Sequence, residues 1–444
     1  MSKLKVGIDF GTSNSGVAIY DGRKVTILPI DQQNVVPEVV KTILYITKDH
    51  KYYIGQDAVE LYYRHNVDRQ RRFEKKWAGE IEFHGAELFY VRDVYVYVDV
   101  LKPGRLLQFI KSALRSNNYN GTLIFDEFYS LQRIIQIYLQ ELKMRAESLL
   151  NDEVSVVTLG RPVKFSDSIE KDQQAMETLR AAAYEAGFRK VDFELEPIAA
   201  AIYFEKTLGA AKNVLVFDFG GGTLDITIMR LGDPESRKVY ASNGIGIAGA
   251  DFDRRIIQKR MLPHFGEGKT KKDPEIESLL EAVSDWQVLP ELSTPHVKSK
   301  IENEIRRGNA PVQMQALESL IFNDLAFSFY NKVESAKIQL SSQGMTCIKL
   351  KEKGMDIWEL YTRHQFEEDI SHFVSQIEKV LLEAIIDSGL EPEEIDAVVK
   401  TGGSSNIPRF TSMLNNIFGS ERVKASNTFS SVVGGLAIKA FETQ

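Results

Sequence analysis

The chain has 444 residues, enough for two or more domains and a large buried core. It is 43% hydrophobic and 26% charged, ordinary for a globular protein, and its net charge of −7 argues against a general nucleic-acid binder. Cys347 is the only cysteine, which excludes an intrachain disulfide and a paired-cysteine metal site and fits a reducing compartment.

The start, MSKLKVGIDF, enters strand pattern directly and lacks the apolar segment of a signal peptide. No run of about 18 apolar residues is present, so no membrane span is expected and the default location is the cytoplasm. Residues 3 to 28 read as three short strands, with Asp21-Gly22 as a hairpin turn. The first two form VGIDFGTSNSGVAIY, Val6 to Tyr20: a strand ends at Asp9, a small-residue turn follows, and a second strand leaves it. The pattern recurs at Val214 to Thr227, VLVFDFGGGTLDIT. Asp9, Phe10 and Gly11 match Asp218, Phe219 and Gly220; Thr12 and Ser13 supply hydroxyls where Thr223 sits in the other copy. One glycine-rich hairpin fits a plain β-turn as well as a phosphate loop. Two copies point to two related halves whose facing loops clamp a phosphate chain and its metal. Exposed amides in such turns make an anion site, and a strand-end carboxylate suits hydrated Mg²⁺.

Between the copies, Arg64 to Trp77 is basic and reads by composition as a solvated helix or loop. Leu88 to Leu101 alternates as a strand with one buried face. Leu106 to Leu114 and Ser130 to Leu149 read as helices, Val154 to Leu159 as a strand, and Thr178 to Ala186 as a helix stopped by Gly187. Glu196-Pro197 opens a further helix, with an acidic residue before Pro as good helix-start chemistry. After the second copy, Pro263 to about Tyr330 is largely helical. Glu334 and Lys337 fit an i,i+3 surface pair. Phe366 to Ser388 reads as one amphipathic helix ending at Gly389, and the strand Ile395 to Lys400 runs into Gly402-Gly403-Ser404.

The two loops, Glu196-Pro197-Ile198-Ala199-Ala200-Ala201, Gly249 with Asp251-Phe252-Asp253, Glu334-Ser-Ala-Lys337, Thr362-Arg363 with Phe366-Glu367, and Gly402-Gly403-Ser404 together resemble the nucleotide-binding domain of the seventy-kilodalton heat-shock chaperones (DnaK-like). The resemblance implies an α/β actin-like ATPase fold. Two ribonuclease-H-like lobes enclose a nucleotide cleft, each with an inserted outer subdomain. The expected division is lobe I over 1–209 with an insert at about 39–130, lobe II over 210–425 with an insert at about 248–371, and a C-terminal segment 426–444 returning to lobe I. It also implies ATP or ADP with Mg²⁺, and K⁺ as a further candidate. Asp9, Asp218, Asp225 and Glu196 become the metal set. Gly11, Thr12, Ser13, Asn14, Gly220, Gly221, Gly222, Thr223, Gly402, Gly403 and Ser404 become the phosphate set.

Asp9, Glu196, Asp218, Thr223 and a lysine would be catalytic. The best match to the family's Lys-Arg-Leu-Ile-Gly is Lys75-Lys76-Trp77-Ala78-Gly79, so Lys75 is the candidate and Lys76 the fallback. Pro162 matches a proline that signals nucleotide state, with Arg180 as its sensor. Glu334, Lys337, Ile338 and Ser341 match the adenosine wall. Ile338 and Asn406 stand where the family has arginines beside the base, which costs about 0.5–2 kcal/mol of cation–π and stacking. Thr428 replaces an aspartate. Ten residues remain after Gly434, so the chain resembles the short YegD-like members that lack the peptide-binding domain.

The resulting expectation is a slow Mg²⁺-dependent ATPase whose lobe closure signals to a protein partner such as a co-chaperone, exchange factor or client adaptor, with no nucleic acid and no membrane. The alternatives are a non-catalytic nucleotide sensor or adaptor, a small-molecule kinase, and a filament-forming protein of the same superfamily.

Overall fold

The computed structural model describes residues 4–66, 69–84, 89–115, 119–166, 168–232, 234–271, 273–286, 288–425 and 430–443. Thr428 lies outside them. The chain divides into two compact units, Met1–Arg64 with Gly104–Asp251 and Ser371–Gln444, and His65–Pro103 with Phe252–Ile370.

The first unit contains two sheets with the same topology. In one, β1 (Leu4–Phe10), β2 (Asn14–Tyr20) and β3 (Val25–Ile27) form an antiparallel meander. β4 (Val154–Arg161) then joins β1 in parallel, and β5 (Lys190–Leu195) joins β4. In the other, β6 (Lys212–Phe219), β7 (Leu224–Leu231) and β8 (Lys238–Ile245) form the meander. β9 (Ala397–Thr401) joins β6 in parallel, and β10 (Val423–Ala425) joins β9. The sequence repeat therefore extends beyond the loops to the strand order. Val214, Leu215, Val216 and Phe217 are all fully buried, as expected of a central strand covered on both faces.

Two helices exchange partners between the sheets. α3 (Glu196–Glu205) follows β5 of the first sheet but packs on β6 and β7 of the second, where Ala199, Ala200 and Ala201 join Val214, Val216 and Met229. α8 (Ser430–Glu442) follows the second sheet but packs on β1, β2 and β4 of the first, with Val433 and Ala437 against Ala18. The two helices touch at their small residues. A Cβ added to Gly435 would lie 1.7 Å from the Ala199 carbonyl oxygen, so only glycine permits this approach.

α1 (Leu131–Leu150) and α2 (Ile169–Glu185) cover the first sheet. α1 starts where Ser130 accepts from the Arg133 amide at 3.2 Å, an N-cap bond. α2 begins nine residues before the expected Thr178. Leu106 to Leu114 departs from the expected helix. Gly104–Gln108 is a strand paired with Ile43–Thr47, and Ile110–Arg115 is a 3₁₀ turn. Phe109 between them has φ 54°, which ends the strand.

The second unit holds α4 (Pro274–Val283) and α5 (Ala326–Ser342), further helices over Pro295–Arg306 and Pro311–Phe322, and the hairpin Met345–Glu352/Met355–Thr362. A second hairpin pairs Phe73–His84 with Phe89–Asp99, so the basic stretch before Trp77 runs from the end of a helix at Asn66 into a strand. Arg69 bridges Asp99 and Asp324, and Arg71 also reaches Asp324.

The expected single helix Phe366 to Ser388 is two, α6 (Arg363–Asp369) and α7 (Ser371–Ser388). Its periodicity is continuous, but Arg255 Nε donates to the Asp369 carbonyl at 3.0 Å and removes an acceptor from the helical ladder. Arg260 and Tyr361 each donate to the Asp369 carboxylate at 2.9 Å, so the turn is held within the second unit.

Candidate functional site

The two hairpin turns meet in the first unit around a cavity of about 280 Å³, lined by Asp9, Gly11, Thr12, Ser13, Asn14, Lys111, Glu196, Asp218, Gly220, Gly221, Gly222, Thr223, Asp225, Gly402 and Gly403, with Val39 and Val432. β1 ends at the first turn and β6 at the second, which places Asp9 and Asp218 at equivalent strand ends. The turns are in close contact. A Cβ on Gly222 would lie 2.4 Å from Thr12 Oγ1, and one on Gly221 would lie 2.9 Å from Ser13 Oγ. The Gly221 and Gly222 amides donate to no described partner and remain available to an anion. Ser404 lies behind the loop, where its hydroxyl donates to the Gly220 carbonyl at 2.8 Å.

Four carboxylates share this space with one lysine. Asp218 and Asp225 face each other across the β6–β7 hairpin, a repulsive arrangement unless a cation intervenes. Asp225 accepts from the Val163 amide at 2.6 Å and from the Thr223 hydroxyl at 2.7 Å. Burial, then the Glu196 charge, push both Asp9 and Asp225 up to about 7, although Lys111 pulls each down. Asp218 is driven well above the carboxylate range by burial, then by Glu196, Asp225 and Asp9. Burial works against the Lys111 charge, but Glu196 and Asp9 outweigh it and raise its pKa. Lys111 Nζ donates to Glu196 Oε1.

This donor set fits Mg²⁺. It is made of hard oxygens short of positive charge, and among the described residues no three or more His, Cys, Asp or Glu side chains converge into an all-protein metal cage. Mg²⁺ takes one or two carboxylates and fills its sphere with water and phosphate oxygens.

The lysine in the cavity is Lys111. Lys75, the candidate from sequence, lies exposed on the strand Phe73–His84 of the second unit, and the side chain of Lys76 lies outside the described residues. The available signal was a single lysine inside the apolar run Leu106 to Leu114, since Ile110, Ala113 and Leu114 are buried beside it. Glu334, Lys337, Ile338 and Ser341 lie on α5 of the second unit. Lys337 pairs with Asp253 at 2.6 Å, where the sequence suggested Glu334, and Ile338 is 61% exposed. Asn406 is exposed at the end of the turn Gly403–Asn406 and does not line the cavity. Arg180 does not engage Pro162. It donates to the Val191 carbonyl and lies over Phe193, while Arg161 Nε donates to the Pro162 carbonyl at 2.9 Å.

No helix among the described residues is long and apolar enough to cross a membrane. The chain is 29% identical over 342 residues to the chaperone protein DnaK of Thermosipho melanesiensis, which covers 77% of this chain and 49% of the relative. It thus spans about half the length of the curated relative it matches. The family model described as Hsp70 protein matches residues 107–289 and 325–441, a span that includes Lys111 and begins after Lys75. That match covers well over half of the chain and agrees with the paired sheets and facing loops: the chain belongs to the Hsp70 protein family and has its actin-like ATPase fold.

Proposed function

We propose that the chain binds Mg²⁺–ATP at this cavity and hydrolyses it slowly, as a chaperone-type ATPase domain whose nucleotide state is read by a protein partner. The observation that carries the reading is the meeting of two like hairpin loops, with free amides and hydroxyls, over four carboxylates and one lysine. Thr12, Ser13, Gly220 to Thr223, Gly402 and Gly403 bind the phosphate oxygens, with Ser404 supporting the loop. Asp9, Asp218, Asp225 and Glu196 would hold the metal. Mg²⁺, when bound, neutralises charge on the phosphate oxygens. Glu196 orients the attacking water. Lys111, held by Glu196, offsets the charge that develops on the transferred phosphoryl group, the role first assigned to Lys75. The resemblance assigns adenosine contacts to Glu334, Lys337, Ile338, Ser341 and Asn406. Closing of the lobes on ATP and relaxation on ADP form the signal. Its recipient is a co-chaperone, exchange factor or client adaptor in the cytoplasm.

A second reading, a nucleotide sensor without turnover, is favoured by Ile338 and Asn406, which leave the base without the two arginines that the resemblance places there. Calorimetric titration with Mg²⁺–ATP and Mg²⁺–ADP, with released phosphate measured in the same samples, separates the two. Binding with slow release supports the ATPase and binding without release supports the sensor. Failure of both nucleotides to bind removes both readings.

A further inference from the structure

We infer that Arg115 is a positioning residue that shapes the second phosphate loop from the opposite half of the first unit, an inference that rests on the nucleotide reading above. Arg115 ends the same 3₁₀ turn that carries Lys111. Its Nη1 donates to the Gly222 carbonyl and its Nη2 to the Gly246 carbonyl. The fit at Gly246 is close, since a Cβ there would lie 2.5 Å from Nη2.

The other loop carbonyls are tethered as well. Gly220 accepts from the Gly249 amide at 3.3 Å and from the Ser404 hydroxyl at 2.8 Å, and Gly221 accepts from the Ala250 amide at 3.0 Å. In a trans peptide the N–H points opposite the C=O. Tethering the carbonyls of Gly220, Gly221 and Gly222 therefore aims the amides of Gly221, Gly222 and Thr223 the other way, as a phosphate-binding concavity requires.

Three of these four tethers come from residues that follow the second sheet's own strands. Only Arg115 comes from the segment that leads into the first sheet's helices. The Thr223 amide is thus set by a contact that exists only when the two halves are together. The same short turn delivers Lys111 to Glu196, so one movement would seat the cavity's cation and complete its anion site. Two carbonyls at one guanidinium demand the two-pronged donor geometry of arginine; a lysine ammonium serves one of them.

The test uses the full chain as Arg115→Ala and Arg115→Lys. Without nucleotide, hydrogen exchange should quicken several-fold in Arg115→Ala in peptides covering 219–225 and 246–251, and not in the first sheet. Affinity for Mg²⁺–ATP and Mg²⁺–ADP should fall about tenfold or more, the scale of a charge-assisted hydrogen bond, with Arg115→Lys intermediate. Dilute guanidinium chloride should restore part of the loss in Arg115→Ala where sodium chloride of equal ionic strength does not. Unchanged exchange in the two peptides overturns the inference whether or not nucleotide binds. Changed exchange with wild-type nucleotide affinity overturns the loop-shaping role. Changed exchange in a chain whose unmodified form binds neither nucleotide overturns the ATP reading and leaves the tether.

Discussion

Replacing Lys111 by Ala tests which lysine serves the cavity. The Lys111 and Glu196 side chains are 9% and 12% exposed, so the pair is nearly dry. Removing the ammonium leaves Asp9, Glu196, Asp218 and Asp225 with no cation among the cavity-lining residues. Breaking one side of a buried pair costs about 3–5 kcal/mol. The lower end applies, because burial raises the pKa of Asp9 and Asp225 to about 7, so proton uptake can offset part of the lost charge. We expect about 3 kcal/mol less stability for the metal-free first unit, read by urea unfolding.

Loss of a preorganised positive group at the transferring phosphoryl should slow single-turnover phosphate release by roughly 10²–10³-fold. Lys75→Ala, changed at an exposed site of the second unit, should leave the rate within about twofold, as for surface substitutions worth under ~0.5 kcal/mol. Wild-type turnover in Lys111→Ala would refute the assignment, and a rate loss confined to Lys75→Ala would return the role to Lys75.

Gly435→Ala should destabilise the first unit by at least about 1–3 kcal/mol, the usual cost of overpacking, because the new methyl meets a backbone carbonyl at 1.7 Å and outweighs a helix-propensity gain of about 1 kcal/mol; a raised melting temperature would contradict the crossing of α3 and α8. Asp31 is fully buried and its Oδ1 has no hydrogen-bond partner, although Oδ2 accepts from the Gln56 amide. Burial raises its pKa against the Gln56 amide, Arg145 and Lys41, with Asp57 adding to the rise. A raised folded pKa means a contribution that is full below the unfolded value near 4 and is lost as pH climbs through the folded one. Asp31→Asn should therefore melt higher than wild type at pH 7 and lose that advantage toward pH 4; a lower melting temperature at pH 7 would show that pairing with Arg145 dominates. Ile338→Arg should tighten Mg²⁺–ATP binding by roughly 2- to 30-fold if the base lies against α5, from about 0.5–2 kcal/mol of restored cation stacking, and unchanged calorimetric affinity would place the base elsewhere.

What the sequence makes legible here is chemistry written within a few adjacent residues. Asp9 and Asp218, each followed by a small-residue turn between apolar runs, read directly as strand-end carboxylates, and both line the cavity. Glu196 before Pro197 is equally local. The place of Lys111 in the cavity is not legible locally, because it depends on a fold contact with Glu196, 85 positions away, whereas the basic stretch before Trp77 carries the nearer match to the family's lysine motif. The break between α6 and α7 was hidden for a similar reason. The acceptor that the helix loses is taken by Arg255, 114 positions away, and no local breaker marks the site. The acidic residue before Pro197 marks the start of the helix Glu196–Glu205, but nothing local says on which sheet that helix packs.

The exchange of α3 and α8 bears on how the cavity can respond to its contents. Glu196 is the first residue of α3 and Val432 the third of α8, and both line the cavity. Each helix thus directs its N-terminal end, the positive end of its dipole, at the place where the phosphates would lie. Each also belongs by packing to the half opposite the strand it follows. In the proposed closure, a rotation of one sheet against the other would turn α3 and α8 about their contact at Ala199 and Gly435 and would shift Glu196 and the α8 end relative to Asp9 and Asp218. The Lys111–Glu196 pair and the Arg115–Gly222 contact would register the same rotation, because Glu196 leads the helix packed on the second sheet and Gly222 lies on that sheet's loop. Under the proposed lobe closure, coupling between the cavity and the angle of the two sheets would need no separate relay, since the crossing helices join the sheets and also supply part of the cavity wall.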